Sequence, residues 1–462
     1  MVSFAVLDIV IIILFFLIVI LIGFFAGRND KDSADGFLLS GRKVGLTLFI
    51  LTTVSTWYGG ILGVGEFSYR YGVASWFTQG FPYYVFAIIF ALLFAKKINK
   101  SKLYTIPDKI EETYGKTAGL LTAILIFILV SPAPYLLMVG NLLTLIFDIP
   151  IFISLILGLL ISIVYLLKSG YKADLYTDVF QFFVMFIGFI IICIVAVSNF
   201  GGIKFLSANL PAQHLTLSGG NSFTFILVWF FIALWTFTDP GFHQRCYSAK
   251  NGGVAKKGII ISVGLWILFD FLTNTTGLYT VAILPNLENP VNAFPMLAEK
   301  ILSPGLKGIF YAALFATIIS TLNSFLFLSA TTFGRDFIFK YTKAKDESKI
   351  PNYTRIGLAI TAVIAVIMAL LFPSVIELWY TVGSICIPGI IFLIFGAYYS
   401  KLRINNNYAI AEILAGSISS SVWYFLRPQF IGIQIIYEIE PMIVGLAAAG
   451  VVHLTGILKK DF

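Results

Sequence analysis

The sequence is poor in charge. Only 12% of its 462 residues are Asp, Glu, Lys or Arg, and 59% are apolar, whereas soluble domains carry about 25% charged residues. This composition excludes a soluble enzyme. Charge-poor stretches of about 20 residues, the length that crosses a hydrocarbon core, recur from one end of the chain to the other. We therefore expect a polytopic helical protein of the cell (inner or plasma) membrane.

Cysteine and histidine are also scarce, with 3 residues of each. The cysteines lie in or at the ends of apolar segments without paired spacing, which argues against a disulfide framework or a metal site. The histidines lie far apart, and we expect His243 to be a structural residue at the inner interface. Because a membrane enzyme needs a constellation of such groups, the sequence predicts a protein that is not an enzyme and uses no organic cofactor.

Long polar linkers are absent as well. No Gly/Ser/Pro-rich segment separates the apolar stretches, so we expect one membrane transport domain over residues 1–462 with no kinase or nucleotide-binding module. This disfavours transport driven by ATP. The first apolar stretch lacks a basic leader and a cleavage site, which predicts a retained span. The net charge of +8 is scattered through short loops, so no nucleic-acid partner is expected.

Apolar windows that are bounded by Gly, Pro and charged residues predict thirteen spans. They cover residues 3–27, 44–66, 73–95, 117–146, 148–167, 175–199, 222–244, 258–284, 307–333, 355–374, 376–398, 407–426 and 440–457. With the N-terminus outside, only five of the 31 Lys and Arg lie on the outer side: Arg70, Lys204, Lys300, Lys307 and Arg427. This bias predicts an outer N-terminus and an inner C-terminus.

Two predicted spans contain residues that weaken a helix. The second carries Gly59-Gly60, and the seventh carries Asp239-Pro240-Gly241. Two interrupted helices that are five spans apart and run in opposite directions are typical of an inverted repeat, with a binding site between the breaks. The expected division is 3–27 for an extra N-terminal helix, 44–199 and 222–398 for the two repeats, and 407–457 for two C-terminal helices. Alternatively, the small residues only permit close helix packing.

The ninth span carries a stripe of hydroxyl side chains. Thr317, Ser320, Thr321 and Ser324 lie at i, i+3, i+4 and i+7 on one helical face, with Asn323 beside them. This hydroxyl stripe suits sodium, because a dehydrated monovalent cation prefers several small oxygen ligands. Alternatively, hydroxyls in membrane helices bond the carbonyl one turn back or a neighbouring helix.

Three acidic residues in or near the spans are candidates for a structural or functional role. Asp174 fits a helix cap at the start of the sixth span, and Asp178, one turn deeper, is a candidate buried carboxylate, since an ionisable residue within a span indicates function. Asp270 in the eighth span either contacts a solute or hydrogen-bonds Asn274, four residues on. The aromatic content of 16% mostly indicates packing.

Six local motifs occur in a specific order. They are Gly36-Phe-Leu-Leu-Ser-Gly41-Arg42, Ser55-Thr-Trp57-Tyr-Gly-Gly60, Tyr176-Thr-Asp178-Val-Phe-Gln181, Gln244-Arg245 with Ser248-Ala249-Lys250, Ser320-Thr321, and Ile387-Pro388-Gly389. Together they resemble the sodium:solute symporter family, which includes bacterial sodium/proline, sodium/galactose and sialic acid carriers and the choline transporter. The resemblance spans nearly the whole chain. It implies an all-α membrane protein with thirteen transmembrane helices, an outer N-terminus and a leucine-transporter type 5+5 inverted repeat.

The resemblance also implies site residues. The principal sodium site maps to the carbonyls of Ser55, Tyr58 and Thr317 and the hydroxyls of Ser320 and Thr321. A second sodium, as in members that bind two, maps to Asp178, Ser320, Asn323 and Ser324. The solute-lining positions map to Trp57, Leu62, Phe81, Tyr83, Trp235 and Trp266. Here the chain departs from the family, because apolar or aromatic residues replace the sugar carrier's polar contacts, and Ser131 and Asp239 stand near two positions of the choline carrier's aromatic cage.

These observations predict a sodium-coupled symporter that imports a small organic solute by alternating access. Its expected partners are the solute, sodium as a transported co-substrate and the lipid bilayer, and a monomer suffices. Two alternatives stay open: proton coupling through Asp178, or a solute sensor that does not transport. Aromatic residues with Asp239 or Asp270 favour a cationic or amphipathic solute, whereas Gln79 and Asn274 suit a neutral polar one.

Overall fold

The computed structural model of the protein describes residues 2–27, 33–342, 346–372 and 375–459. Within these ranges the regular secondary structure is helical, apart from one isolated bridge between Val44 and Ala249. Eleven of the described helices are long and apolar enough to cross a membrane, or twelve if one bent pair counts as a single span. The protein is therefore a multi-pass helical membrane protein. The count of thirteen and the orientation stay predictions.

The helices are named in chain order. They are α1 Val6–Ala26, α2 Ala34–Leu39, α3 Leu46–Trp57, α4 Ile61–Tyr71, α5 Phe81–Leu93, α6 Ala95–Ser101, α7 Ile106–Leu129, α8 Ala133–Phe147, α9 Ile151–Phe200, α10 Ile203–Asn209, α11 Phe223–Ile232, α12 Trp235–Thr238, α13 Pro240–Ser248, α14 Gly252–Ile283, α15 Ala293–Ile301, α16 Leu306–Thr331, α17 Ile350–Leu371, α18 Val375–Tyr398, α19 Asn406–Leu426, α20 Gln434–Tyr437 and α21 Pro441–Leu458. Two π-helical segments, Trp76–Gly80 and Thr332–Phe339, precede α5 and follow α16. Short 3-10 turns cover Ser40–Arg42, Ala212–Leu215, Pro290–Asn292, Glu347–Lys349, Ser400–Leu402 and Arg427–Phe430.

Helix α9 contains two of the predicted spans, 148–167 and 175–199. It is 50 residues long and is interrupted at Gly170, where φ is +56° and ψ is −143°. A side chain at this position would be strained, and its Cβ would lie 2.6 Å from the Phe37 carbonyl oxygen. The predicted spans therefore correspond to the segments on either side of Gly170.

The span expected at 117–146 corresponds to parts of two helices. Helix α7 starts at Ile106 but is interrupted at Gly115, where φ is +85° and ψ is 172°, so its second segment begins close to the expected start, and α8 follows from Ala133. Thr105 caps the start of α7: its Oγ1 accepts from the Asp108 amide at 3.2 Å, and the Asp108 carboxylate accepts from the Thr105 amide at 3.3 Å. This capping box stabilises a polar first turn that an apolar window does not detect.

Helix α16 lies at the centre of the protein. In an apolar 18-residue window of the span Leu306–Phe339, 94% of the residues are buried. In the corresponding window of α1, only 22% are buried. Because α16 is surrounded by protein, its hydroxyl side chains bond carbonyls of their own helix, as Thr317 does with Leu314, or need partners on neighbouring helices or a ligand. The helix that carries the hydroxyl stripe is thus the one most enclosed.

Candidate functional site

The first helix break lies against α16. Helix α3 ends at Trp57, α4 begins at Ile61, and the two axes are bent by 57°. A Cβ on Gly59 would overlap the Thr321 side chain, so only glycine permits this approach. Gly60 gives the start of α4 no side-chain cap. The break therefore places the backbone at Gly59 directly against the hydroxyl stripe.

Four of the five predicted sodium-site residues lie at this contact. Ser55 Oγ donates to Ser320 Oγ at 2.9 Å, and Thr321 Oγ1 donates to the carbonyl of Thr56 at 2.6 Å. The Thr317 carbonyl lies 3.4 Å from Thr321 Oγ1. All of these residues except Thr56 are buried. The contact joins the end of α3 to the middle of α16.

The side chain of Tyr58, the remaining predicted sodium-site residue, points away from this contact. Tyr58 is buried, and its hydroxyl donates to the Trp266 carbonyl at 2.9 Å. The residue therefore anchors the break to α14, and only its backbone can take part in an ion site beside α16.

A charged cluster adjoins the contact. Asp178 Oδ1 accepts from Ser320 Oγ at 2.5 Å, and its Oδ2 accepts from Thr56 Oγ1 at 3.0 Å. The Arg245 guanidinium of α13 lies 3.7 Å from Asp178 Oδ2 and donates to Thr56 Oγ1 at 2.5 Å. Sequence reasoning noted Arg245 only as part of a motif. A basic residue at the end of an apolar span was the signal for this ion pair.

Asp174 is not the helix cap that the sequence suggested. It is fully buried, and its Oδ2 accepts from Ser324 Oγ at 2.6 Å. Asn323 donates from Nδ2 to the Tyr165 hydroxyl at 2.5 Å. The four residues predicted for a second sodium therefore share one region of α9 and α16 but have different partners: Asp178 bonds Ser320, whereas Ser324 bonds Asp174 and Asn323 bonds Tyr165.

A cavity lies on the other side of the first break. It encloses about 1270 Å³ of space, its open mouth included. Its aromatic lining comprises Trp57, Tyr58, Phe67, Trp76, Tyr83, Tyr135, Trp229, Trp235, Phe325, Trp379 and Tyr380. Its polar lining includes Gln79, Asn274, Asp239 and Asp270, and no Lys, Arg or His occurs among the lining residues. The cavity is apolar, with a few acidic and amide groups.

The structure divides the predicted solute-binding residues into two groups. Trp57, Tyr83 and Trp235 line the cavity. Trp266 lies behind it, fully buried and stacked on Trp57 at 4.8 Å between ring centroids. The other two do not line it: Leu62 is buried in the core, and Phe81 stacks on the Phe77 ring.

Asp270 is expected either to contact a solute or to bond Asn274, and its position allows both. Asn274 Nδ2 donates to the Asp270 carbonyl at 2.8 Å, while the carboxylate accepts from the Tyr84 hydroxyl and lines the cavity. Sequence reasoning missed Trp76 and Trp379 as lining residues. A Cβ on Gly63 would lie 3.2 Å from the Trp379 ring, a contact more than three hundred positions apart in sequence.

The second helix break lies at the edge of the cavity. Asp239, between α12 and α13, accepts on Oδ1 from the amides of Gly241 and Phe242 at 2.6 and 3.1 Å. It therefore caps α13, which begins with Pro240. His243 is buried, and its Nε2 lies 3.0 Å from the Phe237 carbonyl, as a structural residue would.

Aromatic rings close the cavity near the second break. We call Phe90, Phe94, Phe237, Phe242 and Phe395 the aromatic seal. Phe242 contacts Trp57 at 5.5 Å and Phe90 at 5.4 Å, and Phe94 contacts Phe395 at 4.9 Å between centroids. The opposite end of the cavity reaches Phe67 and Trp76. One end of the cavity is thus blocked by packed rings.

The chain resembles known transporters over most of its length. The family model described as Sodium:solute symporter family matches residues 37–416. The chain is 28% identical over 401 residues to the High-affinity choline transporter 1 of Drosophila melanogaster, which covers 80% of this chain and 63% of that protein. It is 27% identical over 419 residues to the Sodium/glucose cotransporter of Vibrio parahaemolyticus, which covers 78% of this chain and 74% of that protein.

A solved structure has the same fold. A Na⁺-coupled sialic acid symporter in a substrate-bound, outward-open state superposes with a TM-score of 0.84 at 15% identity, covering 99% of this chain and 98% of the other. The all-helical fold of the leucine-transporter type is therefore confirmed. The comparisons identify transporters, not enzymes. Because the family model matches more than half of its residues, this chain belongs to the sodium:solute symporter family.

Proposed function

We propose that the protein imports a small organic solute by coupling its uptake to inward sodium movement. The observation that carries the proposal is the contact between the first break and the hydroxyl stripe, where Ser320 and Thr321 meet Ser55 and the Thr56 carbonyl. Small oxygen atoms at close range are the ligands that suit a dehydrated sodium ion. Membership of the sodium:solute symporter family supports the same coupling.

The proposed principal sodium ligands are the carbonyls of Ser55, Tyr58 and Thr317 and the hydroxyls of Ser320 and Thr321. The two hydroxyls act as donors to protein oxygens at this contact. A hydroxyl rotates about its C–O bond and also offers lone pairs, so the same atoms can turn towards an ion. Sodium would then join the end of α3 to α16.

The charged cluster supports a second cation near α9. Asp174 and Asp178 are both fully buried, and Arg245 supplies a single positive charge beside them. Asp174 Oδ1 and Asn323 Oδ1 have no hydrogen-bond partner among the described residues. A buried charge without compensation costs several kcal/mol. We therefore add Asp174 to the proposed second set of Asp178, Ser320, Asn323 and Ser324.

The proposed solute contacts are Trp57, Tyr83 and Trp235, which line the cavity. Trp266 would act indirectly, because it stacks behind Trp57. Leu62 and Phe81 lie away from the cavity in this conformation, so we propose no solute contact for them in this state. The name of a relative, the choline transporter, agrees with an aromatic cavity.

We propose alternating access as the mechanism. The cavity extends towards Phe67 and Trp76, the outer end under the predicted orientation, while the aromatic seal blocks the inner end. Sodium binding would order the first break, solute binding would close the outer end, and inward sodium release would free the solute. One sodium gains about 2.3 kcal/mol at ~100 mV and about 1.4 kcal/mol from a tenfold gradient. Together these sustain roughly several-hundredfold solute accumulation.

Two hydroxyl deletions test the sodium site. Ser320→Ala and Thr321→Ala each remove an ion ligand, and a lost charge-assisted contact of about 1.5–3 kcal/mol weakens sodium binding at least about tenfold. The measurement is the melting temperature of the purified protein titrated with sodium chloride at constant ionic strength against potassium chloride. Ser329→Ala is the matched control, because Ser329 is a buried hydroxyl on the same helix whose hydrogen-bond partner among the described residues is Thr361. Unchanged sodium titrations in both site variants would overturn the assignment.

The second cation has its own measurement. With two coupled sodium sites, solute binding to the purified protein depends on sodium with a Hill coefficient near about 2. Asp174→Asn, which removes one charge from the proposed second set, lowers this coefficient towards about 1. A coefficient of 1 in the unmodified protein would leave the principal site as the sole sodium site.

Proton coupling is the second candidate, because the Asp178 carboxylate lies within the charged cluster. Proteoliposomes with an imposed sodium or pH gradient separate the two. Radioactive sodium entry stimulated by solute supports sodium coupling, and solute entry driven by a pH gradient in potassium alone supports proton coupling. Solute binding with neither flux would identify a sensor.

A further inference from the structure

The cavity has an unbalanced charge. Two carboxylates, Asp239 and Asp270, belong to its lining, and no basic side chain does. Among the residues that the structure describes, neither carboxylate forms an ion pair. A solute with a carboxylate of its own would find no basic partner on the cavity wall. The electrostatic field of the cavity therefore favours a cation.

The two carboxylates differ in availability. Asp239 uses Oδ1 to cap α13 and lies near Gly241, whose carbonyl accepts from Arg245. Asp270 is 7% exposed, and its carboxylate interacts with the hydroxyls of Tyr84 and Tyr58 but, among the described residues, with no backbone amide that it caps. Asp239 thus has a structural task next to a positive charge. Asp270 is the carboxylate that is left for a solute.

Gly80 opens the space beside Asp270. A Cβ at this position would lie 2.7 Å from Asp270 Oδ2 and 3.1 Å from Trp76 Cδ1. Glycine therefore leaves room for the Asp270 carboxylate, the Tyr84 hydroxyl and the edge of the Trp76 ring around one point of the cavity wall. Gln79 also lines the cavity, and its Nε2 has no hydrogen-bond partner among the described residues. A carboxylate acceptor and aromatic side chains thus line the same part of the cavity.

This pairing distinguishes two kinds of organic cation. Aromatic faces attract any cation, but a carboxylate oxygen forms a short, charge-assisted hydrogen bond only with a cation that carries N–H groups. A quaternary ammonium would leave the carboxylate without a donor. Trp57, Tyr83 and Trp235 then provide apolar surface for the rest of the molecule.

We propose that the cavity takes a protonated primary or secondary amine, with its ammonium group on Asp270 and its apolar body against Trp57, Tyr83 and Trp235. This proposal rests on the proposed function as a solute carrier and specifies the substrate class of that same cavity. It differs from the quaternary substrate in the name of the choline transporter relative.

Matched sets of compounds test the proposal. The first set is phenethylamine, its trimethylammonium derivative, phenethyl alcohol and phenylalanine, and the second is butylamine with its corresponding three analogues. The measurement is the melting temperature of the full-length purified protein in sodium chloride and in potassium chloride, since a ligand of the folded state raises it. The expected result is a sodium-dependent rise with an amine and at least about tenfold weaker apparent binding of its three analogues.

Variants locate the contact. Asp270→Asn should weaken amine binding at least about tenfold while the rise caused by sodium alone persists, which shows that the variant is folded. Asp270→Glu should restore part of the affinity, and Tyr84→Phe should retain amine binding because the carboxylate stays. Stronger binding of a quaternary, alcohol or amino-acid analogue, no response to any amine, or full amine affinity in Asp270→Asn would overturn the proposal. Loss of the rise from sodium alone in the unmodified protein would instead contradict the proposed function.

Discussion

The two helix breaks differ in how the first backbone amides of the following helix are capped. At the first, α3 and α4 meet at a bend of 57°, and Gly60 offers α4 no side-chain cap. At the second, Asp239 caps α13 through the amides of Gly241 and Phe242. The first break packs against α16 without a side-chain cap, whereas the side chain of Asp239 caps the first turn after the second break.

We propose that this difference separates an ion site from a cavity wall. The first break has no side-chain cap and packs its backbone against Ser320 and Thr321, whose hydroxyls can also turn towards an ion. The capped second break instead holds Trp235 and Asp239 at the cavity. We infer that substitutions at the first break affect mainly sodium binding and those at the second mainly stability.

The largest effect is expected for Gly59→Ala. Its Cβ would overlap the Thr321 side chain, which forces α3 away from α16 and costs about 1–3 kcal/mol of stability. The sodium-dependent rise in melting temperature should be lost. Gly264→Ala is the control, because a Cβ there meets nothing within 4 Å. A normal sodium titration in Gly59→Ala would show that the first break does not form the ion site.

A smaller effect is expected for Asp239→Ala at the second break. Losing the cap should cost about 0.5–2 kcal/mol of stability, seen as a lower melting temperature in potassium chloride. The sodium concentration for half-maximal stabilisation should stay the same. Asp239→Asn keeps a capping oxygen and should lose less stability. If Asp239→Ala altered sodium affinity as strongly as Ser320→Ala, the two breaks would not have separate roles.

The smallest effect concerns the start of α16, the helix that packs against the first break. Burial of Glu299 raises its pKa, but hydrogen bonds from Lys307 and Ser3 outweigh burial and hold the pKa of Glu299 below its usual value. The folded state therefore disfavours protonation, so this stabilisation is full at neutral pH and is lost as the pH falls through the usual glutamate range.

Glu299→Gln should abolish that pH-dependent part, which is about 1 kcal/mol or less for such a partly exposed pair. The measurement is the fall in melting temperature between pH 7 and pH 4, compared with Glu288→Gln as an exposed control. Equal falls in the unmodified protein and both variants would mean that Glu299 does not anchor α16.

Much of the fold could be predicted because its signals are local. Apolar length indicates the spans, and Gly59-Gly60 and Asp239-Pro240 indicate the two breaks. Hydroxyl spacing on one face predicts the stripe, since the period of a helix is known in advance. The polar segment of α7 before Gly115 has no apolar signal, because a capping box stabilises its first turn.

The candidate site was only partly predictable. Ser55, Ser320 and Thr321 meet as expected, but Asp174 bonds Ser324 instead of capping a helix. Which aromatic residues face the cavity could not be read from the pattern, because lipid and protein core both favour apolar side chains.

The sequence by itself determined that this is a helical membrane transporter with two broken spans, because chain length, apolarity and helix-weakening residues act over a few turns. Only the tertiary structure decided that Arg245 approaches Asp178, that Trp266 supports Trp57 and that Asp270 faces the cavity beside Gly80. These contacts join helices far apart in the chain. Their geometry depends on how the helices pack, which no local pattern records.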